Sequence, residues 1–158
     1  GAYSAQVIPL SGAGIALVEA YDSAAASSTS RLINMSTRAR SGMGDDVLIV
    51  GFVVSGTASK TLLIRGIGPT LAALGVSGVL SDPVVRVYRG NDLLVQNDDW
   101  GGSSQLALVH TQVGAFSIPA NSKDASLVLS LSPSAYTVQL FGKNGSTGVA
   151  LAEIYEVP

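Results

Sequence analysis

Residues 2–8 alternate, with Tyr3, Ala5 and Val7 on one side and Ser4 and Gln6 on the other, the period-two signature of a half-buried strand. Pro9 and the Ser11-Gly12-Ala13-Gly14 cluster turn the chain. Residues 15–21 then return with Ile15, Leu17, Glu19 and Tyr21 on one face and Ala16, Val18 and Ala20 on the other. The pattern predicts a β-hairpin over residues 1–22. Residues 32–36 read as a short strand, and the alternation that follows sets Arg38 and Arg40 on one side. Residues 47–54 form an apolar run broken only by Gly51, the pattern of a central strand buried on both faces. With residues 61–65 this run reads as a second hairpin. Thr70 is placed to cap one short helix that Gly75 ends. Residues 84–88 and 93–96 flank a Gly90-Asn91-Asp92 turn, residues 105–113 fit helix and strand equally, and residues 125–131 alternate as a strand.

The opening ribbon occurs twice. Ala-Tyr-Ser-Ala-Gln-Val-Ile at residues 2–8 returns as Ala-Tyr-Thr-Val-Gln-Leu-Phe at residues 135–141, an offset of 133. Gly-Ile-Ala-Leu-Val-Glu-Ala-Tyr-Asp at residues 14–22 returns as Gly-Val-Ala-Leu-Ala-Glu-Ile-Tyr-Glu at residues 148–156, an offset of 134. Eight of these sixteen positions are identical, and the copies differ in length by one residue in the connecting turn, where a repeat tolerates change. A recurrence at fixed period marks one link of an array. The organisation expected is therefore a hairpin at residues 1–22 equivalent to the end of a preceding unit, a low-complexity linker at residues 23–30, and a body at residues 31–158 that closes with the second copy. In the two copies Tyr3, Val7, Ile15, Leu17 and Tyr21 answer to Tyr136, Leu140, Val149, Leu151 and Tyr155, and these ten residues are the candidate assembly elements.

About ten short strands separated by Gly, Pro, Asn and Asp turns, with at most one short helix, predict an all-β antiparallel sandwich, jelly-roll-like. A chain of 158 residues is long enough to bury a core without staples. Cysteine is absent, which removes disulfides and thiolate metal sites. The net charge of -2 is scattered over isolated residues, with no basic stripe to meet phosphates, so nucleic acid is not the expected partner. No apolar run reaches the ~18 residues of a membrane span. Gly1 in place of an initiator Met fits a piece processed or excised from a longer precursor.

Arg31-Leu32-Ile33-Asn34-Met35-Ser36-Thr37-Arg38, Asp46-Val47-Leu48-Ile49-Val50-Gly51-Phe52-Val53-Val54, Leu63-Ile64-Arg65-Gly66-Ile67-Gly68-Pro69-Thr70-Leu71, Asp82-Pro83, Asn97-Asp98-Asp99-Trp100 and the closing Tyr-containing ribbon resemble a unit that recurs in large secreted and surface proteins of bacteria. The resemblance spans nearly the whole chain and implies an extracellular or cell-surface setting without implying an activity. Residues 84–136 also resemble the jelly-roll accessory domains appended to secreted peptidases, which implies a calcium-tolerant, non-catalytic role.

The acidic loop is the candidate metal site: Asp92, Asn97, Asp98 and Asp99 are oxygen donors of the kind calcium takes, although Asn and Asp are also ordinary turn residues. Glu19 and Glu153 occupy equivalent positions in the two copies, which points to a shared structural role, an ion pair with Arg31, Arg65 or Arg86, before a catalytic one. His110 is the only histidine, and no G-x-S-x-G elbow accompanies it, so no hydrolase triad is indicated. Trp100 is the candidate ligand face, as a sugar-stacking platform or, more simply, as a plug at the end of the sandwich. The function expected is non-catalytic. A surface module joins copies of itself, or adjacent repeats of one chain, through its ribbon by β-strand addition. The alternative is a carbohydrate-binding or adhesive accessory domain that meets a surface polysaccharide.

Overall fold

The computed structural model describes residues 1–12, 14–23 and 31–158, which divide into two compact units, Gly1–Leu32 and Ile33–Pro158. The expected linker at residues 23–30 lies, but for Ser23, outside the described residues.

The larger unit has eight strands: β1 (Asn34–Ser41), β2 (Leu48–Val54), β3 (Lys60–Ile67), β4 (Pro83–Arg89), β5 (Asp92–Asn97), β6 (Ala125–Leu131), β7 (Ser134–Gly142) and β8 (Gly148–Glu156). They form two four-stranded sheets in the orders β1-β8-β3-β6 and β2-β7-β4-β5, with every ladder antiparallel. Strand 1 pairs with 8, 2 with 7, 3 with 6 and 4 with 5, so the chain is one long folded ribbon rolled into two sheets, the jelly-roll order. The all-β sandwich is therefore as expected, with eight strands rather than ten. Two α-helices replace the single one expected: α1 (Pro69–Ala73) and α2 (Ser104–Gln112). At α1 the cap position is Gly68, and Thr70 turns its hydroxyl to Asp124 instead of capping.

The rolled topology corrects two hairpins. Residues 47–54 and 61–65 do not pair with each other, because β2 and β3 lie in opposite sheets. The closing ribbon is likewise an arch: β7 sits between β2 and β4 in one sheet, and β8 sits between β1 and β3 in the other. Period-two patterning gives each strand's faces but not its sheet, so a short connection between two strands reads as a hairpin whether it turns within a sheet or crosses the core. Only β4 and β5 form the hairpin expected of them, with a bulge between Val87 and Tyr88. The run at residues 47–54 is also not central, since β2 lies at a sheet edge with Ile49 and Val53 exposed.

Inward side chains interleave between the sheets as alternation dictates. Leu48, Val50 and Val54 of β2, Leu62 and Ile64 of β3, Val85 and Val87 of β4, and Tyr136, Val138 and Leu140 of β7 meet Ala150, Ala152 and Ile154 of β8. Gly66 lets the sheets close at one point, because a Cβ there would lie 2.5 Å from both Leu140 Cδ1 and Val85 Cγ2. A second cluster, Ile67, Leu71, Trp100 and Ile118 with Phe116 and Leu151 against it, covers the outer face of the β1-β8-β3-β6 sheet. The excursion between β5 and β6, which contains α2, supplies Trp100, Phe116 and Ile118.

Among the described residues of Gly1–Leu32 there is no strand. Tyr3, Val7, Ile8, Leu10, Ile15, Leu17, Val18 and Tyr21 are all exposed.

Candidate functional site

The residues that repeat are the ones best understood in β7 and β8. Tyr136 is 3% exposed, stacks on Phe52 with ring centroids 5.5 Å apart, and donates its hydroxyl to Ser132 O at 2.7 Å. Val138 and Leu140 follow it into the core. Across the arch, Gly148 lies against another backbone: a Cβ there would come within 2.5 Å of Leu80 N. That approach lets Val149 N donate to Gly78 O and Leu80 N donate to Val149 O, each at 2.8 Å.

On the outward face of β8, beneath the excursion, sits a buried ion pair. Glu153 lies directly across from Arg65 of β3, whose Nε donates to Oε2 at 2.8 Å and whose Nη2 donates to the same oxygen. Arg65 Nη1 also donates to Phe116 O at 2.6 Å, and the guanidinium lies 4.4 Å from the Phe116 ring centroid. Tyr155 closes the set by donating its hydroxyl to Glu153 Oε1 at 2.7 Å. Burial, and then the Glu153 carboxylate, push the Tyr155 phenol up to about 12. Arg65 is fully buried and Glu153 nearly so, and every polar atom of the pair faces a partner, as such a pair requires. Of the arginines expected for Glu153, Arg65 is the one that meets it.

The N-terminal copy keeps the same residues without those surroundings. Tyr3 is 95% exposed, and nothing lies within 4 Å of a Cβ built on Gly14, the counterpart of Gly148. Tyr21 donates its hydroxyl to Glu19 Oε1 at 2.9 Å, repeating the Tyr155–Glu153 contact in the open.

The acidic loop is tied into the fold. Asp92 opens β5 and Asn97 closes it, so Asp92 stands a strand length from the other three candidate ligands. Asn97 accepts from Ser126 N at 2.9 Å and donates to Asp99 O at 3.1 Å. Asp98 accepts from Lys143 Nζ at 2.6 Å, and that hydrogen bond holds its carboxyl below the usual range. Among the described residues no three His, Cys, Asp or Glu side chains are grouped to hold a metal.

Trp100, the candidate ligand face, is largely buried. It is 6% exposed, packs in the second cluster, and donates Nε1–H to Pro119 O at 3.0 Å. His110 lies beside it, rings 5.6 Å apart, with Nε2 2.9 Å from Ser126 Oγ. Burial, and then the nearby Arg65 charge, lower the imidazole to about 4. The sequence reading missed Asp124, which is fully buried and accepts from Gly68 N at 2.7 Å and from the Thr70 and Ser122 hydroxyls. Its signal was an acidic residue set directly against an apolar strand start.

The open face of the β2-β7-β4-β5 sheet carries a shallow groove of about 500 Å³ lined by Asp45, Ile49, Arg86, Gln139 and Phe141. Arg86 lies 4.6 Å from the Phe141 ring centroid and donates Nε–H to Gln96 at 2.6 Å.

No protein-family model matches the chain, and no curated protein matches it. Among solved structures it is similar to the pre-peptidase C-terminal domain of a collagenase from Bacillus anthracis. That similarity has a TM-score of 0.47 at 10% identity, covering 77% of this chain and 89% of that one.

Proposed function

We propose that the protein is a non-catalytic structural module of a secreted or cell-surface array, and that residues 1–22 are the closing arch of a second sandwich of the same design. One observation carries this reading. The sequence of residues 2–22 preserves the features that β7 and β8 need for their central seats. Gly14 repeats a glycine whose counterpart has no room for a Cβ. Glu19 repeats a carboxylate whose counterpart meets a buried arginine. Tyr3 repeats a tyrosine whose counterpart is a core residue.

The sandwich at Ile33–Pro158 already fills both seats with its own β7 and β8. The seat that fits residues 1–22 therefore belongs to another unit, and neighbouring units are joined through the chain that leaves one arch and enters the next β1. Only the far end of an arch is free to do this, because its two strands are held in opposite sheets.

The test places residues 31–133 directly ahead of residue 1, so that the opening arch follows a body that lacks one. Two sandwiches are expected, with an unfolding enthalpy about twice that of the original chain and slow amide exchange at residues 2–22. Glu19→Lys should destabilise the first sandwich and leave the second unchanged. If residues 2–22 exchange as fast as in the original chain, the reading is wrong.

A further inference from the structure

A jelly roll leaves four strand edges, here β1, β6, β2 and β5, and an unpaired edge invites another strand unless something blunts it. Three are blunted. On β1 the exposed side chains include Arg38 and Arg40. At β6 the Ser126 N–H is taken by the Asn97 side chain, and His110 of α2 bonds the Ser126 hydroxyl. β5 begins with Asp92, carries Gln96, and is offset from β4 by a bulge. The fourth edge, β2, has no such device: Leu-Ile-Val-Gly-Phe-Val-Val is uncharged over its whole length, with Ile49 52% and Val53 71% exposed.

We infer that β2 is a self-association edge, and that its occupant is β2 of a second copy of this chain, paired antiparallel about a two-fold axis at Gly51. The sequence of the strand is close to palindromic about that glycine. With Gly51 opposite its own equivalent, Ile49 of each copy falls opposite Val53 of the other, which joins the two most exposed β-branched side chains of the strand in two symmetric pairs. On the inner face Leu48 meets Val54 and Val50 meets Phe52, so the two cores run on through the joint. Gly51 at the axis sets no side chain against its twin. Asp45 and Asp46 come alongside the uncharged turn after β2, and no like charges oppose each other. The contact is isologous and closes at two copies, joining two four-stranded sheets into one of eight. It is separate from the arch at residues 1–22, so each can fail alone.

The full chain is expected to sediment as a dimer that weakens at least about tenfold in Ile49→Lys/Val53→Lys and in Ile49→Glu/Val53→Glu. Both substitutions change solvent-facing side chains, and far-UV circular dichroism should show both variants folded. Mixing the lysine and glutamate chains should restore a dimer, because each lysine then faces a glutamate. A wild-type monomer at 0.1 mM, homodimers that survive in either variant, or a mixture that stays monomeric would each overturn the inference. A dimer lost instead on Val7→Asp/Ile8→Asp would also overturn it, by assigning the edge to residues 2–8 of the other copy.

Discussion

Acidification from pH 7.5 to 5 is expected to remove about 2 kcal/mol of stability through His110 alone. In the unfolded chain this imidazole titrates near 6.5, whereas in the fold burial, and then Arg65, hold it at about 4. Between these values the unfolded state binds a proton that the folded state refuses, so stability rises with pH and is lost as pH falls. The full interval is worth about 3 kcal/mol at 1.36 kcal/mol per unit, of which about 2 kcal/mol is gone by pH 5. No discount for solvent screening applies, since His110 is 3% exposed. The groups that face it are the Ser126 hydroxyl, the Trp100 ring and the Arg65 charge. The hydrogen bond from Lys143 holds the Asp98 carboxyl below the usual carboxylate range, so it adds to the loss only at more acidic pH. For a domain of this size the loss corresponds to a fall in Tm of roughly 5–8 °C. The assay is urea unfolding at pH 7.5, 6.5, 5.5 and 5.0, run in parallel on His110→Gln. That variant keeps a polar atom towards Ser126 and cannot gain the proton. Its stability should be lower at pH 7.5 but nearly flat over the window once the common carboxylate slope is subtracted. Equal slopes in the two proteins would refute the reasoning.

Glu153→Gln should cost about 3–5 kcal/mol by leaving the Arg65 charge buried without a counter-charge, and Arg65→Met/Glu153→Leu should recover most of that loss. Equilibrium denaturation of the three variants checks both statements. Gly66→Ala should destabilise by about 1–3 kcal/mol, because the new methyl meets Leu140 and Val85 inside contact distance where the two sheets face each other; an unchanged denaturation midpoint would contradict this.

Much of the fold was legible in the chain, for reasons that particular residues make plain. Alternation at residues 125–131 and 135–141 gave strands with the right faces, and Gly90-Asn91-Asp92 marked the one true hairpin. Apolar periodicity fails where a strand's sheet matters. Residues 47–54 are apolar on both faces, which in isolation means a central strand, whereas β2 reaches an edge because the roll places it beyond β7. Residues 105–113 became a helix because Ser103 accepts from Leu106 N, a cap hidden behind the Gly101-Gly102 turn. In Asn97-Asp98-Asp99-Trp100 the side chains act as a clasp: Asn97 holds the end of β5 to β6, Asp98 bonds Lys143, and Trp100 bonds the excursion. A motif rich in oxygen donors looks the same in sequence whether the donors face an ion or their own backbone.

The strand order also says why an extra arch is informative. β8 separates β1 from β3, and β7 separates β2 from β4. Remove those two strands and only the two-stranded ladders β3-β6 and β4-β5 remain: β1 and β2 are cut off, and Arg65 loses Glu153. The arch thus follows β1–β6 in the chain and is the part on which both halves of this sandwich's core wait, a long-range closure that makes its folding all-or-none. A peripheral hairpin can be duplicated and lost with little effect. The proposed array gives a physical use to a copy of the central pair, complete with the glycine that admits a neighbouring backbone and the glutamate that answers an arginine. In the proposed array, Gly14 and Glu19 would be used by a second sandwich in the way Gly148 and Glu153 are used at Ile33–Pro158.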